Sequence, residues 1–263
     1  MSVLLPCTPK FLSPGTRISA ARKAVEINPA NHPRSSLVAR ALGFEAAPTQ
    51  ARIALVIGSR WPSTGVHLTV AFLDNPPSDL RKRILLHMNA WAKTANVKFS
   101  ETKGDAQVRI ARADAPEAVA GYWSYVGTDI LSIPVGKPTM NLQAFTMQTP
   151  ESEFHRVVRH ETGHTLGFPH EHMRRALVNK IDPAKAIAYF GKTQGWTPEE
   201  VRQQVLTPLE DSSLLGTAQA DAHSIMCYQI PGFLTKNGQP IAGGTDIDPQ
   251  DYAFAGSVYP KKK

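Results

Sequence analysis

Two cysteines in 263 residues, Cys7 and Cys227, allow one disulfide at most and exclude a disulfide framework. No apolar run approaches the ~20 residues needed to cross a bilayer, which argues against a membrane-spanning protein. Basic residues are not gathered into a stripe interleaved with aromatics, the pattern that tracks nucleic acid. The net charge of +7 includes Lys261 to Lys263 at the end of the chain. Internal repeats and low-complexity tracts are also missing. Aspartate is absent from the first 51 residues, which instead carry Pro6, Pro9, Pro14, Pro29, Pro33 and Pro48. What remains is ordinary globular composition, 42% hydrophobic and 19% charged, in a chain long enough to bury a sizeable core.

One stretch departs from that background: His160-Glu161-Thr162-Gly163-His164-Thr165-Leu166-Gly167-Phe168-Pro169-His170. On a helix, His160 and His164 share a face and can grip one metal ion. Glu161 sits one step round, in reach of a water on that metal without being a ligand. Gly167 can adopt a left-handed conformation, end the helix and turn the chain so that His170 supplies a third nitrogen. Three neutral imidazoles with an open fourth position describe a catalytic zinc site rather than a closed structural one. A surface helix with solvated histidines is the bland alternative; the spacing, the glutamate and the glycine together argue against it. Thr149 is expected to cap this helix and Pro150 to open it, with Glu151 and Glu153 at its positive end. Phe154, Val157, Val158 and Thr165 give it a side to bury, and His155 falls off the ligand face.

Elsewhere the pattern predicts strands at Val66 to Leu73, Val97 to Ser100, Gln107 to Ala111, Ile130 to Ile133 and Thr139 to Leu142. Pro134 and Pro138 lie just beyond the fourth, as suits an edge strand. Ser78 is expected to cap a helix whose Leu80, Ile84, Met88 and Trp91 form a core stripe. Helical stretches follow at Asp182 to Phe190 and Pro198 to Leu206, and Tyr252, Phe254, Val258 and Tyr259 are expected to pack a last helix. Thr16 to Ile27 is the one periodic part of the proline-bearing start.

The run His160-Glu161-x-x-His164-x-x-Gly167-x-x-His170 resembles the metzincin metallopeptidases. Gly167-Phe168-x-His170-Glu171-His172-x-Arg174 resembles their astacin branch, and Ser224-Ile225-Met226-Cys227-Tyr228 is similar to its Met-turn. Gly121-Tyr122-Trp123-Ser124-Tyr125-Val126-Gly127 resembles the segment ahead of the substrate-binding edge strand. The likeness runs over about residues 52 to 260. The chain departs from it in lacking the branch's disulfide cysteines, with Tyr122 where one would stand. Arg175 and Ala176 replace acidic residues, and Cys227 stands where the branch usually has His.

The resemblance implies an α+β, metzincin-like fold: an N-terminal twisted five-stranded mixed sheet with two long helices, an irregular C-terminal subdomain, and the active-site cleft between them. Residues 1–51 would be an arm or an inhibitory pro-segment, and 52–260 the catalytic domain, split into 52–170 and 171–260. The expected activity is endopeptidase cleavage of a protein or peptide by one Zn2+ on His160, His164 and His170. Glu161 would be the general base, with Tyr228 as a further ligand that swings away to bond the tetrahedral intermediate. The other reading of Tyr228 is a residue packed under the site. Met226 would pack beneath the histidines. Tyr125, Ile130, Leu131, Ser132 and Ile133 would bind substrate along the edge strand, and Glu171 would receive a new N-terminus near Ile53 after processing. A catalytically inactive, zinc-stabilised binding module on the same fold is the alternative. A monomer is expected, with neither nucleic acid nor membrane as partner. The resemblance implies secretion or export, yet Met1 to Leu5 is too short and uncharged for a secretory signal, leaving a cytoplasmic location as the alternative. Cys227 reads as a small buried hydrophobe. Cys7 reads either as a packed or exposed thiol or, in an arm without aspartate, as an inhibitory ligand at the fourth zinc position.

Overall fold

A computed structural model describes residues 7–8, 10–32, 58–116, 120–209 and 220–262. The boundary at 51/52 and the expected new terminus near Ile53 lie outside the described residues.

Alternation builds the sheet. In β1 (Val66–Phe72), Val66, Leu68 and Val70 point into the core, and in β2 (Val97–Glu101) Val97 and Phe99 do the same. With β3 (Val108–Ala111), β4 (Tyr122–Ser124) and β5 (Met140–Leu142) they form a five-stranded sheet of order β2-β1-β3-β5-β4. All pairings are parallel except β4 against β5, where Tyr122 faces Leu142 and Ser124 faces Met140. The sheet is thus mostly parallel with one antiparallel edge strand, as expected.

α1 (Pro14–Ile27) belongs to the N-terminal arm and packs on the turn at 127–132. α2 (Ser78–Met88) and the 3-10 turn after it bury Leu80, Ile84, Met88 and Trp91, the predicted stripe. α3 is continuous through Glu151–Glu153, a π-helical turn Phe154–Val158, and Arg159–Thr165. The cap positions of both helices differ by one residue from expectation: Pro77 and Pro150, not Ser78 and Thr149, hold them, and neither cap has a side-chain bond. The Thr149 hydroxyl instead accepts from the Thr146 amide, closing the turn before α3. Past His170, α4 (Pro183–Gln194) is capped by Asp182, and a capping box of Thr197 and Glu200 opens a short helix at Pro198–Val201. α5 (Pro249–Val258) is capped by Asp248, and the fully buried Tyr259 follows it.

Ile130 to Ile133 is not a strand. Gly127–Ser132 is a 3-10 helix, and Ile130 is buried in the core. Gly127 has φ +52°, and a Cβ there would strike the Ser59 carbonyl. The buried Arg109 guanidinium collects the carbonyls of Lys137 (2.7 Å), Ala106 (2.9 Å) and Ile133 (3.0 Å), so Ile133 is satisfied without a ladder partner. The edge strand is therefore Tyr122–Ser124. Of the expected substrate-binding residues, Leu131, Ser132 and Ile133 are half-buried off the sheet, and Tyr125 packs its ring edge-on to Trp123.

Two apolar cores result. One lies between the sheet and α2, α3 and α5; the other gathers Leu177, Ile181, Phe190, Val201, Val205, Ile230 and Leu234, and takes in Cys7 and Tyr228. The histidine cluster sits where they meet.

Candidate active site and metal centre

α3 supplies His160, Glu161 and His164, all buried. Trp91 Nε1 donates to the Arg159 carbonyl at 2.9 Å, Trp61 Nε1 to Thr165 at 2.8 Å, and the Tyr259 hydroxyl to Leu166 at 2.6 Å. These bonds fasten the helix on either side of the ligand face. Gly167, with φ +96°, ends it, and the chain returns to bring His170 beside the first two histidines.

Two of the three histidines have defined tautomers. His160 Nδ1 donates to the Ile225 carbonyl at 2.6 Å, and His164 Nδ1 to the Phe168 carbonyl at 2.8 Å. A carbonyl can only accept, so in the neutral rings Nδ1 carries the proton and Nε2 is a bare lone pair. Both bare nitrogens face His170 Nε2, at 3.2 Å and 3.0 Å. Burial, then the neighbouring imidazole, holds His160 and His170 well below the usual histidine range, and burial brings His164 to about 4. Converging lone pairs on neutral rings suit a cation. The spacing matches ligands ~2.0–2.1 Å from one zinc ion, and the carbonyls are the outer partners that orient such ligands.

Glu161 is 1% exposed, and burial pushes its carboxyl up to about 8. The Cys7 thiol donates to its Oε2 at 3.5 Å. Cys7 Sγ and the ligand nitrogens of His160, His164 and His170 all lie within 4.8 Å of one another. The arm continues along β4. Cys7 bridges Tyr122 of β4 in parallel sense, the Thr8 amide donates to the Tyr122 carbonyl at 2.8 Å, and Lys10 Nζ stands 5.1 Å over the Trp123 ring. The Tyr228 hydroxyl donates to the Cys7 carbonyl.

Beneath the histidines, Met226 fills space that Gly163 leaves open; a Cβ on Gly163 would collide with Met226 Sδ and crowd Trp91. The turn carrying Met226 hangs on Asp251, whose carboxylate accepts from the Ser224 hydroxyl (2.6 Å) and the Ile225 amide (2.8 Å). Burial raises Asp251 to about 6. Glu171 accepts from the Asp221 amide at 3.1 Å, and burial raises its carboxyl too. Both cysteines are free, and burial pushes Cys227 up to about 12, consistent with an inert packed thiol.

A second cluster joins His87, Glu151 and His155, the Glu151 Oε1 lying 3.1 Å and 3.5 Å from the two Nε2 atoms. Arg159 donates to His87 Nδ1 and His155 Nε2, both at 3.3 Å, and Asp246 bonds both Arg159 and His155. With its lone pairs taken by a guanidinium, this group is an ion-pair network tying α2 and α3 to residue 246.

The structure thus unites His160, Glu161, His164, His170, Met226, Tyr228 and Cys7, sets Glu171 next to the Met-turn, and leaves the Ile130 segment out of the sheet. Sequence reasoning missed His172, although it stands inside the quoted motif. It also missed Asp251, whose only signal was the Asp248-x-x-Asp251 spacing of a helix start.

The family model for the astacin peptidases matches residues 56–240. The chain belongs to the astacin family. Zinc metalloproteinase nas-27 of Caenorhabditis elegans is 32% identical over 177 residues, which are 67% of this chain and 36% of that protein, so the chain spans about a third of that relative's length. The structure of myroilysin superposes with TM-score 0.71 at 30% identity, covering 78% of this chain and 97% of that one. High choriolytic enzyme 1, a hatching-enzyme zinc protease from the medaka Oryzias latipes, shares the fold at TM-score 0.51 and 15% identity, covering 82% of this chain and all of that one. The expected fold class is that of these astacin-type neighbours.

Proposed function

We propose that this astacin-family chain is a zinc-dependent endopeptidase acting on protein or peptide substrates, exported from the cell and monomeric. The convergence of three Nε2 atoms beside a buried carboxyl carries this reading. A zinc ion held by His160, His164 and His170 supplies a polarised water and a Lewis acid for the scissile carbonyl. Glu161 takes the proton of the attacking water and passes it to the leaving amine. Burial raises its carboxyl above the usual range, which favours taking up that proton. Tyr228, freed from the Cys7 carbonyl, turns its hydroxyl toward the developing oxyanion. Substrate pairs along β4, whose outer edge the arm covers in this state.

On this reading residues 1–51 are a pro-segment, 52–260 the catalytic domain, and Cys7 the inhibitory ligand in the fourth position. Its thiol lies among the three histidines, and zinc favours thiolate donors. Glu171 is then the partner of the N-terminus released by processing. The test is casein cleavage by the full chain before and after limited proteolysis of the arm, each with and without a chelator. Chelator-sensitive cleavage that appears on proteolysis is expected. Cleavage indifferent to the chelator would sink the zinc reading, and a zinc-loaded, processed chain that cleaves nothing would favour the inactive binding module.

A further inference from the structure

Tyr228 packs against two imidazoles that also touch each other, with ring centroids 5.0 Å apart. His170 is tilted against it, with ring centroids 4.4 Å apart at 52°. On its other contact the ring of His172 is stacked nearly parallel, 4.1 Å away at 15°. His172 is fully buried, in the 3-10 turn Glu171–Met173 that follows the third histidine. That turn is tied at both ends: the Glu171 amide donates to the Met226 carbonyl at 2.8 Å, and the Leu209 amide to the Met173 carbonyl at 2.9 Å.

The His172 ring has one hydrogen bond, from Nε2 to the Gln204 carbonyl at 3.2 Å, in the π-helical turn Arg202–Leu206. Because the carbonyl only accepts, Nε2 is the donor and Nδ1 is bare. Nδ1 is buried and has no hydrogen-bond partner among the described residues. A buried acceptor without a donor is unfavourable, and it marks a ring held here for its face rather than for a second hydrogen bond. The Gln204 bond fixes the plane of that face independently of the metal ligands.

We propose that His172 is a positioning residue for Tyr228: its anchored ring is the flat wall along which the phenol moves. In the arm-bound state the Tyr228 hydroxyl is steadied by the Cys7 carbonyl. Once the arm leaves, that bond is gone and ring stacking is the restraint that remains on the His172 side. His172 therefore acts on the barrier through Tyr228 and does not touch substrate. This inference rests on the oxyanion role given to Tyr228 above.

The test is a double-mutant cycle on the full chain, activated by limited proteolysis as in the casein assay, with zinc content measured for each variant. His172→Leu fills the space without a flat ring, and His172→Phe restores the ring without nitrogen. Stacked aromatic pairs set the expected scale: His172→Leu lowers kcat about 3- to 10-fold with KM nearly unchanged, and His172→Phe recovers most of the loss. In a Tyr228→Phe background, His172→Leu adds no further loss. The proposal is overturned if His172→Leu leaves kcat unchanged, if His172→Phe is as impaired as His172→Leu, or if the loss persists in full in the Tyr228→Phe background. Those outcomes leave Tyr228's role standing provided Tyr228→Phe alone is slow. If Tyr228→Phe alone turns over normally, that role fails and His172's with it.

Discussion

The nitrogens that His160 and His164 turn toward His170 are set by what each ring does on its other side. Ile225 and Phe168 present only carbonyls to His160 and His164, so the protons are drawn to Nδ1 and lone pairs are left to meet. Glu161 meets no carbonyl; burial raises its pKa against the lowering effect of the bond from the Cys7 thiol, and the base role proposed above is open to a direct test. Glu161→Gln keeps the shape and removes the proton acceptor. Activity should fall about a hundredfold to ten-thousandfold while bound zinc stays at one per chain, and a variant near wild-type turnover would take the base role away from Glu161. Asp251 shows the other use of a buried carboxyl. Its folded pKa of about 6 lies above the usual aspartate value near 3.9, so the folded state binds a proton more readily than the unfolded chain. The stability it contributes is fully present below about pH 4 and is lost as pH rises through about 6. Asp251→Asn has no such titration, so the wild-type Tm measured relative to this variant should decline between about pH 4 and 6 and stay level above it. A constant difference across that range would show that Asp251 does not titrate there.

At the level of elements, α3 works because a helix with no side chain at Gly163 lets another element come up beneath it. Gly163→Ala would push a methyl group into Met226 Sδ and crowd Trp91 Cζ2, so the buried Met226 side chain must shift. Overpacking of this kind costs about 1–3 kcal/mol, to be read as a lowered Tm of the zinc-loaded chain together with weaker zinc retention. The elements that periodicity located are those whose own side chains decide the matter: Val66, Leu68 and Val70 alternate into the core, and Leu80, Ile84 and Met88 recur at helical spacing. The histidine site was legible for the same reason, since its spacing is local to one helix and one turn. Ile130 to Ile133 misled because four apolar-leaning residues before a proline look like a strand. What decides that segment is remote, namely the Ser59 carbonyl over Gly127 and the Arg109 guanidinium on Ile133. The π-helical turn at Phe154–Val158 and the one-residue shift of both caps likewise depend on packing that no local pattern records.

Across the whole molecule the arm reaches β4 and the histidine cluster through contacts from both its backbone and its side chains. α1 packs on the 127–132 turn, and Lys23 Nζ reaches the Leu131 carbonyl at 3.4 Å. Ahead of α1 the chain passes Trp123, pairs in parallel with Tyr122, and ends its described course at Cys7 among the three histidines. Blockage could then come from the backbone lying on β4 or from the thiol in the fourth ligand position, and the two differ in what one substitution does. Cys7→Ser keeps the backbone, and with it the Thr8 bond to Tyr122 and the carbonyl that receives the Tyr228 hydroxyl. It replaces a soft thiolate donor by a hydroxyl that stays protonated and binds zinc far more weakly. If the thiol is the latch, full-length Cys7→Ser cleaves casein without proteolysis, at a rate approaching that of the processed wild-type chain, and a chelator abolishes the activity. If the strand pairing alone suffices, Cys7→Ser is as silent as the unprocessed wild type and gains activity only when the arm is cut, which would remove any inhibitory role for the thiol.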